Sequence, residues 1–223
     1  HSSNRRQRQM CIRDSVNVVS TTEQWAGAAI AGPKSRDMLS KLYPDLDVSN
    51  EALPFMGYKE AEFFGVPSRI FRISFSGELA YEINVKSDHG MFMWEKMMEV
   101  GKEFGNQPYG TEALSTLRIE MGHVAGPELD GRTIPSDVSL NALVSKKKDF
   151  IGKNSLGREA FNVESRQKIV GLIPIDRKSS IPEGSHIVQD QNAKLPNPKL
   201  GHVSSSCWSV ENNNPFSLAI MKD

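Results

Sequence analysis

Residues 69–85 read RIFRISFSGELAYEINV. In the first half Ile70, Ile73 and Phe75 stand against Arg72 and Ser74. In the second half Leu79, Tyr81, Ile83 and Val85 share one face, with Glu82 and Asn84 on the other. Alternation of period two marks a strand with one buried face, because successive side chains of an extended chain point to opposite sides. Gly77 supplies a turn between the two runs. The stretch is therefore predicted to be an antiparallel hairpin, with strands over residues 69–76 and 79–85.

Working outward, residues 16–20 (VNVVS) suit a strand and residues 25–31 a second, buried one. Gly32-Pro33 then punctuates the chain, and residues 35–42 give about two helical turns before Pro44. Downstream of the hairpin, Ser87 is the expected N-cap of a helix whose inner face carries Trp94, Met97, Met98, Gly101 and Phe104. Gly105 stops it. A further helix over residues 111–121 turns Ala113, Leu114, Leu117 and Met121 inward and ends at Gly122. Residues 149–161 read as a short helix with its entry turn. From Arg166 onward strands follow one another without helices, at residues 166–175, 201–205 and 216–221, with turns at residues 182–184 and 196–198. Such a succession predicts an α+β domain over residues 15–162 and a small all-β domain over residues 163–223. Residues 1–14 (HSSNRRQRQMCIRD) differ in texture and read as a non-native or disordered leader.

The 223 residues carry 27 basic and 27 acidic side chains, with 38% hydrophobic and 24% charged residues. These values are near those of an ordinary globular chain and exclude whole-chain disorder or a fibrous rod. The overall basic excess of a nucleic-acid binder is missing. No apolar run approaches 18 residues, so no membrane-spanning helix is expected. Cys11 and Cys207 lie at opposite ends of the chain, which suits neither a disulfide framework nor a zinc site and points to a reducing, cytoplasmic location. The five histidines are scattered without metal spacing, and no metal is expected. Lys146-Lys147-Lys148 reads either as a solvated loop or as a grip on phosphate. Physics alone stops there, with the function open.

Residues 72–82 (RISFSGELAYE) resemble the signature hairpin of the aminomethyltransferase (glycine-cleavage T-protein) superfamily, which reads approximately Y-T-G-E-x-G-x-E. Other pieces match in order: residues 25–42 (WAGAAIAGPKSRDMLSKL), residues 110–130 (GTEALSTLRIEMGHVAGPELD), residues 133–135 with 149–153, and a C-terminal set at residues 170–172, 182–184, 201–204 and 219. Within the superfamily the chain is similar to the C-terminal half of the alpha-subunit family of heterotetrameric sarcosine oxidases. That likeness is carried by residues 108–113 (PYGTEA), 118–126 (RIEMGHVAG) and 147–152 (KKDFIG). The free T-protein has Ala-Arg-Asp where this chain has Ala113-Leu114-Ser115, so the family's folate-contacting Arg is replaced by Leu114. His123 stands where the free enzyme tends to have Tyr.

The resemblance implies a folate-binding fold of antiparallel sheets and flanking helices, followed by a small C-terminal β-barrel and cut at both ends. It implies that tetrahydrofolate is the cofactor of this portion, with Glu82 on the pterin ring and Phe75 and His123 beside it. Arg118 is read as structural support, pairing with a hairpin carboxylate such as Glu78. The implied reaction converts a sarcosine-derived imine to 5,10-methylenetetrahydrofolate. The family's catalytic Asp lies upstream of this chain, so no catalytic residue is assigned, and the portion alone is expected to bind folate weakly and to lack oxidase activity. FAD, FMN and NAD belong to the full complex, and the implied partners are the other sarcosine oxidase subunits and the N-terminal half of the alpha subunit. A glycine-cleavage aminomethyltransferase, a folate-dependent demethylase and a non-catalytic folate-binding assembly factor for iron–sulfur proteins stand as alternatives.

Overall fold

The computed structural model describes residues 18–222. The chain divides into two compact units, His1–Ser74 with Glu78–Gln107, and Phe75–Gly77 with Pro108–Asp223. The residue 162–167 stretch lies inside the second unit. The leader and Cys11 lie outside the described residues, and so does part of the strand expected over residues 16–20; Val18–Ser20 is irregular.

The first unit is an antiparallel sheet of four strands in the order β1-β4-β3-β2, where β1 is Trp25–Ala31, β2 Tyr58–Phe63, β3 Val66–Phe71 and β4 Ala80–Lys86. Two helices, α1 (Ser35–Leu42) and α2 (Gly90–Gly101), belong to the same unit. Helix α1 begins and ends where the sequence predicts. Its first turn carries Asp37 and its last turn Lys41, an arrangement that complements the helix dipole. Ser35 Oγ donates to the Leu79 carbonyl at 2.7 Å and ties the helix start to the strand connection. One apolar cluster holds the unit together: Ile30, Met38, Leu39, Leu42, Phe63, Ile70, Tyr81, Ile83, Val85, Met93 and Met97 are all buried. The inward set of β4 is therefore the one that its alternation predicts.

Several expectations need correction. Strand β3 stops at Phe71, and residues 72–79 form an open connection rather than a tight turn at Gly77. Strand β2, absent from the sequence reading, pairs with β3 from Tyr58↔Phe71 to Phe63↔Val66. Ser87 opens a short 3-10 turn ahead of α2 and caps nothing through its side chain. The buried face of α2 is Met93, Met97 and Gly101, with Trp94 44% exposed; one step of phase separates this from the predicted stripe. Gly105 does end the following turn, at φ +73°, a value that favours glycine.

The second unit holds α3 (Thr111–Glu120), α4 (Lys153–Leu156) and a second antiparallel sheet in the order β5-β8-β7-β6, with β5 Lys168–Leu172, β6 His186–Val188, β7 Lys199–Ser209 and β8 Asn214–Met221. That order is linear, so the sheet is open and the expected barrel is not closed. The inner residues of α3 are Arg118 and Ile119, while Met121 is 62% exposed and Ala113 is exposed too. The register of β7 on β8 slips between Val203 and Ser205. This bulge turns consecutive serines, Ser204 and Ser205, into buried positions, as an inserted residue re-aims its neighbours. Arg166 Nε donates to Asp137 Oδ1 at 2.8 Å, fastening the entry to β5 onto the turn at Pro135–Val138. Among the described residues no helix is long and apolar enough to cross a membrane.

Candidate functional site

The alternation that buries Tyr81, Ile83 and Val85 sends Glu82 and Asn84 to the opposite face of the first sheet. Register decides what stands beside them. Ala29, Glu82, Phe71 and Tyr58 form one row across the four strands, and Gly27, Asn84, Arg69 and Glu60 form the next. Two small residues of β1 keep the floor low. A Cβ on Gly27 would lie 2.7 Å from Asn84 Oδ1, so only glycine lets the amide settle there. A hollow of about 430 Å³ results, lined by Thr22, Trp25, Arg69, Phe71, Ile73, Glu82 and Asn84. Glu82 is the one carboxylate among these, and its side chain is exposed. The Arg69 guanidinium lies 4.0 Å over the Trp25 ring and 3.5 Å from Glu60. Such exposed contacts are weak, about 0.5–1 kcal/mol for the cation–π pair and no more for the ion pair.

Phe75 and His123 meet in the second unit, their ring centroids 4.9 Å apart in an edge-on arrangement. Phe75 is 42% exposed, so its ring is available to a flat ligand. Beside them Gly77 sits at φ +86°, and a Cβ there would come within 2.3 Å of Met121 Cγ. His123 is held by its backbone: its N–H donates to the Arg118 carbonyl at 2.8 Å, and its carbonyl accepts from Arg118 Nη1 at 3.3 Å.

Arg118 meets the Glu128 carboxylate, ten residues further on. The Nη1–Oε2 distance is 2.9 Å, with the side chains 6% and 0% exposed. Ser205 closes a triangle, accepting from Arg118 Nη2 at 2.7 Å and donating to Glu128 Oε1 at 2.5 Å. The Ala125 N–H donates to Glu128 Oε2 at 2.9 Å. Burial by itself would raise the Glu128 carboxyl. The Ser205 hydroxyl, the Ala125 N–H, Ser204 and the Arg118 charge outweigh it and hold the group below the ordinary carboxylate range. Near this network Cys207 is pushed up to about 11, by burial first and then by the Glu120 carboxylate.

A family model, the GCVT N-terminal domain, matches residues 2–148. The chain belongs to that family. The matched span takes in the Arg-rich leader as well as the first sheet. Among curated relatives of the GCVT domain, the sarcosine oxidase subunit alpha of Rhizobium meliloti (strain 1021) is 42% identical over 211 residues, which is 93% of this chain and 21% of the relative. An aminomethyltransferase of Thermoanaerobacter sp. (strain X514) is 31% identical over 209 residues, 92% of this chain and 54% of the relative. The chain thus spans about a fifth of the length of the first and about half of the second. The crystal structure of glycine cleavage system aminomethyltransferase T from Bartonella henselae superposes with a TM-score of 0.72 at 23% identity, covering 89% of this chain and 52% of that one. This GCVT fold is therefore of the aminomethyltransferase type.

Of the residues singled out by sequence, the structure joins Phe75 to His123 and Arg118 to the turn behind His123. Glu82 belongs to the other unit. Trp25, Arg69 and Asn84 were not foreseen. The alternation that selected Glu82 carried the signal for Asn84, and Arg69 follows once the strand register is known. Glu128 and Ser205 left no such signal.

Proposed function

We propose that this chain is the tetrahydrofolate-binding, one-carbon-transferring portion of a sarcosine oxidase alpha-type protein, acting on an imine derived from sarcosine to give 5,10-methylenetetrahydrofolate. The observation that carries this reading is Glu82: an exposed carboxylate alone among the residues that line a hollow floored by Gly27 and Ala29. A pterin offers two adjacent donors, its 2-amino group and a ring N–H, and a carboxylate accepts both. The donor set fits. Asn84 beside it adds an amide that both donates and accepts, and Phe71 and Trp25 supply aromatic walls for a flat ring.

When bound, tetrahydrofolate supplies the nitrogen nucleophile that takes up the one-carbon unit. Glu82 holds the ring in one orientation, and Phe71 and Trp25 exclude water from its faces. Phe75 and His123 present a flat aromatic surface of their own in the second unit. These are positioning and electrostatic roles, and the chain's own residues are given no proton transfer. The oxidation of sarcosine falls to the flavins and NAD of the assembly, held by other parts of it together with the partner subunits. This portion by itself binds folate weakly and has no oxidase activity.

Replacing Glu82 by Gln removes the charge and places an amide N–H₂ against the pterin donors. Loss of charge-assisted bonds worth about 1.5–3 kcal/mol predicts roughly ten- to a hundredfold weaker tetrahydrofolate binding. Calorimetric titration checks this, with circular dichroism to confirm the fold. An unchanged affinity would remove Glu82 from the site.

A further inference from the structure

The second unit holds a cavity of its own, of about 320 Å³, bordered by residues of the turn at 127–137, the segment at 163–167 and strands β7 and β8. Three carboxylates line it, Glu128, Asp130 and Asp137, and every one of their oxygens already accepts a hydrogen bond. Glu128 is engaged by Arg118, Ser205 and the Ala125 N–H. Asp130 accepts from Arg132 and Thr133. Asp137 accepts from Arg166 through both oxygens and from the Ile134 N–H. The donors are not used up in the same way. Arg132 spends Nε and Nη2 on Asp130. Arg166 spends Nε and Nη2 on Asp137, and Nη2 reaches the Arg132 carbonyl as well, at 3.1 Å, which brings the two arginines to one wall. Among the described residues, Nη1 of each guanidinium and the side chains of His202, Gln167 and Lys222 make no hydrogen bond.

We propose that this cavity is a binding site for a small carboxylate with a short aliphatic stem. Each acid of the lining is matched by an arginine, Arg118, Arg132 or Arg166, so the charge left over is the Lys222 ammonium. The spare N–H groups of Arg132 and Arg166 carry the same sign. Charge-assisted bonds from guanidinium and ammonium groups suit an oxyanion. Val163 and Ile220 add apolar wall to the same cavity. That wall favours an anion with hydrocarbon attached over one that is hydrated on all sides, such as phosphate. The volume is at the small end of ligand sites, which limits the stem to a few carbons. Glu82 and its hollow belong to the other unit, so this inference stands apart from the folate reading. An occupant that binds only the folded chain stabilises it. Here it does so beside Glu128, through which Arg118 and the turn of His123 are held.

The test titrates the isotope-labelled chain with sodium propionate at fixed ionic strength and follows the backbone amides by nuclear magnetic resonance. The amides of Thr133, Gln167 and Lys222 are expected to move along one saturating curve while those of β1–β4 stay still. A dissociation constant on the order of 1 mM is expected for so small a ligand. Arg132→Gln and Lys222→Met are each expected to weaken propionate about tenfold, the worth of one charge-assisted contact. Both side chains are exposed, so the fold should tolerate the changes. Should Arg132→Gln disturb the circular dichroism spectrum, Lys222→Met carries the expectation alone. Val163→Ser is expected to weaken propionate about threefold and to leave inorganic phosphate, the weaker probe, unchanged. Phosphate binding as tightly as propionate would overturn the carboxylate assignment. Unaltered propionate affinity in Lys222→Met, the same shifts from sodium chloride, or no saturable shift in the unaltered chain would overturn the site.

Discussion

The two sheets of this chain are of equal strand number and differ in how much polar material they bury. Behind the first lies an apolar cluster drawn from every strand and both helices of its unit, with Leu39, Leu53, Phe63, Ile70, Tyr81, Ile83 and Val85 fully excluded from water. In the second, Val203, Leu218 and Ala219 are buried beside Ser204, Ser205, Ser209, Asn214 and Ser217, and Arg118 and Glu128 of the segment before the sheet are buried as well. An apolar core degrades gradually, since each lost methylene costs a share of transfer and cavity energy. A buried polar network fails by parts: removing one partner strands a charge that nothing else compensates. The difference also fits their candidate roles. The first sheet keeps a soft, exposed face for a ligand on a firm apolar backing. The second holds a backbone turn, that of His123, by charge.

The largest effect expected from this contrast is at Glu128. Glu128→Ala leaves Arg118 buried and unpaired, and a loss of about 3–5 kcal/mol is expected. Hydrogen exchange should report it in β7 and β8 while β1–β4 keep their protection; equal losses in both sheets would break the contrast. Leu39→Ala, in the apolar cluster, is expected to cost about 2–5 kcal/mol, this time with the loss of protection in β1–β4. Ser205→Ala removes a donor to Glu128 and an acceptor from Arg118. It should cost about 1–3 kcal/mol in chemical denaturation, more than the same exchange at a solvent-facing serine such as Ser20.

The smallest effect concerns acid. The Glu128 and Asp137 carboxyls are both held low: burial opposes this, and Ser205 with its neighbours at one and Arg166 at the other prevail. A carboxyl depressed by folding adds stability that is complete above its unfolded value, about 4, and is lost as pH falls through the folded one. The second sheet should therefore weaken first as pH drops below about 4. Fluorescence of Trp208, on β7, against that of Trp25, on β1, separates the two. Simultaneous transitions would show that carboxylates do not distinguish the sheets.

Much of the first unit was legible in sequence because apolar alternation and glycine punctuation encode it directly. Helix α1, strand β1 and the inward set of β4 follow from spacing, and Gly105 and Gly122 do stop their helices. Strand β2 was hidden because its outward positions are Tyr58, Glu60 and Glu62, leaving Ala61 and Phe63 as the apolar signal. The reading of α3 placed Leu117 and Met121 inward on hydropathy, whereas Arg118 and Ile119 are the buried residues. A buried arginine is invisible to periodicity, since what makes it tolerable is a glutamate and a serine remote in sequence. The candidate site divides in the same way. Glu82 came from a resemblance, and its neighbours Arg69 and Trp25 became visible only through register.

The triangle of Arg118, Glu128 and Ser205 has a consequence in time. Arg118 and Ser205 are 87 residues apart in the chain. At a synthesis rate of 5–20 residues per second, roughly 4–17 s pass between the two leaving the decoding centre. During that interval the helix carrying Arg118 has its glutamate but not its serine, while the first sheet, whose strands all precede it, can already close. The long loop makes the triangle a late event in folding, so the turn bearing His123 is set only when the last strands arrive.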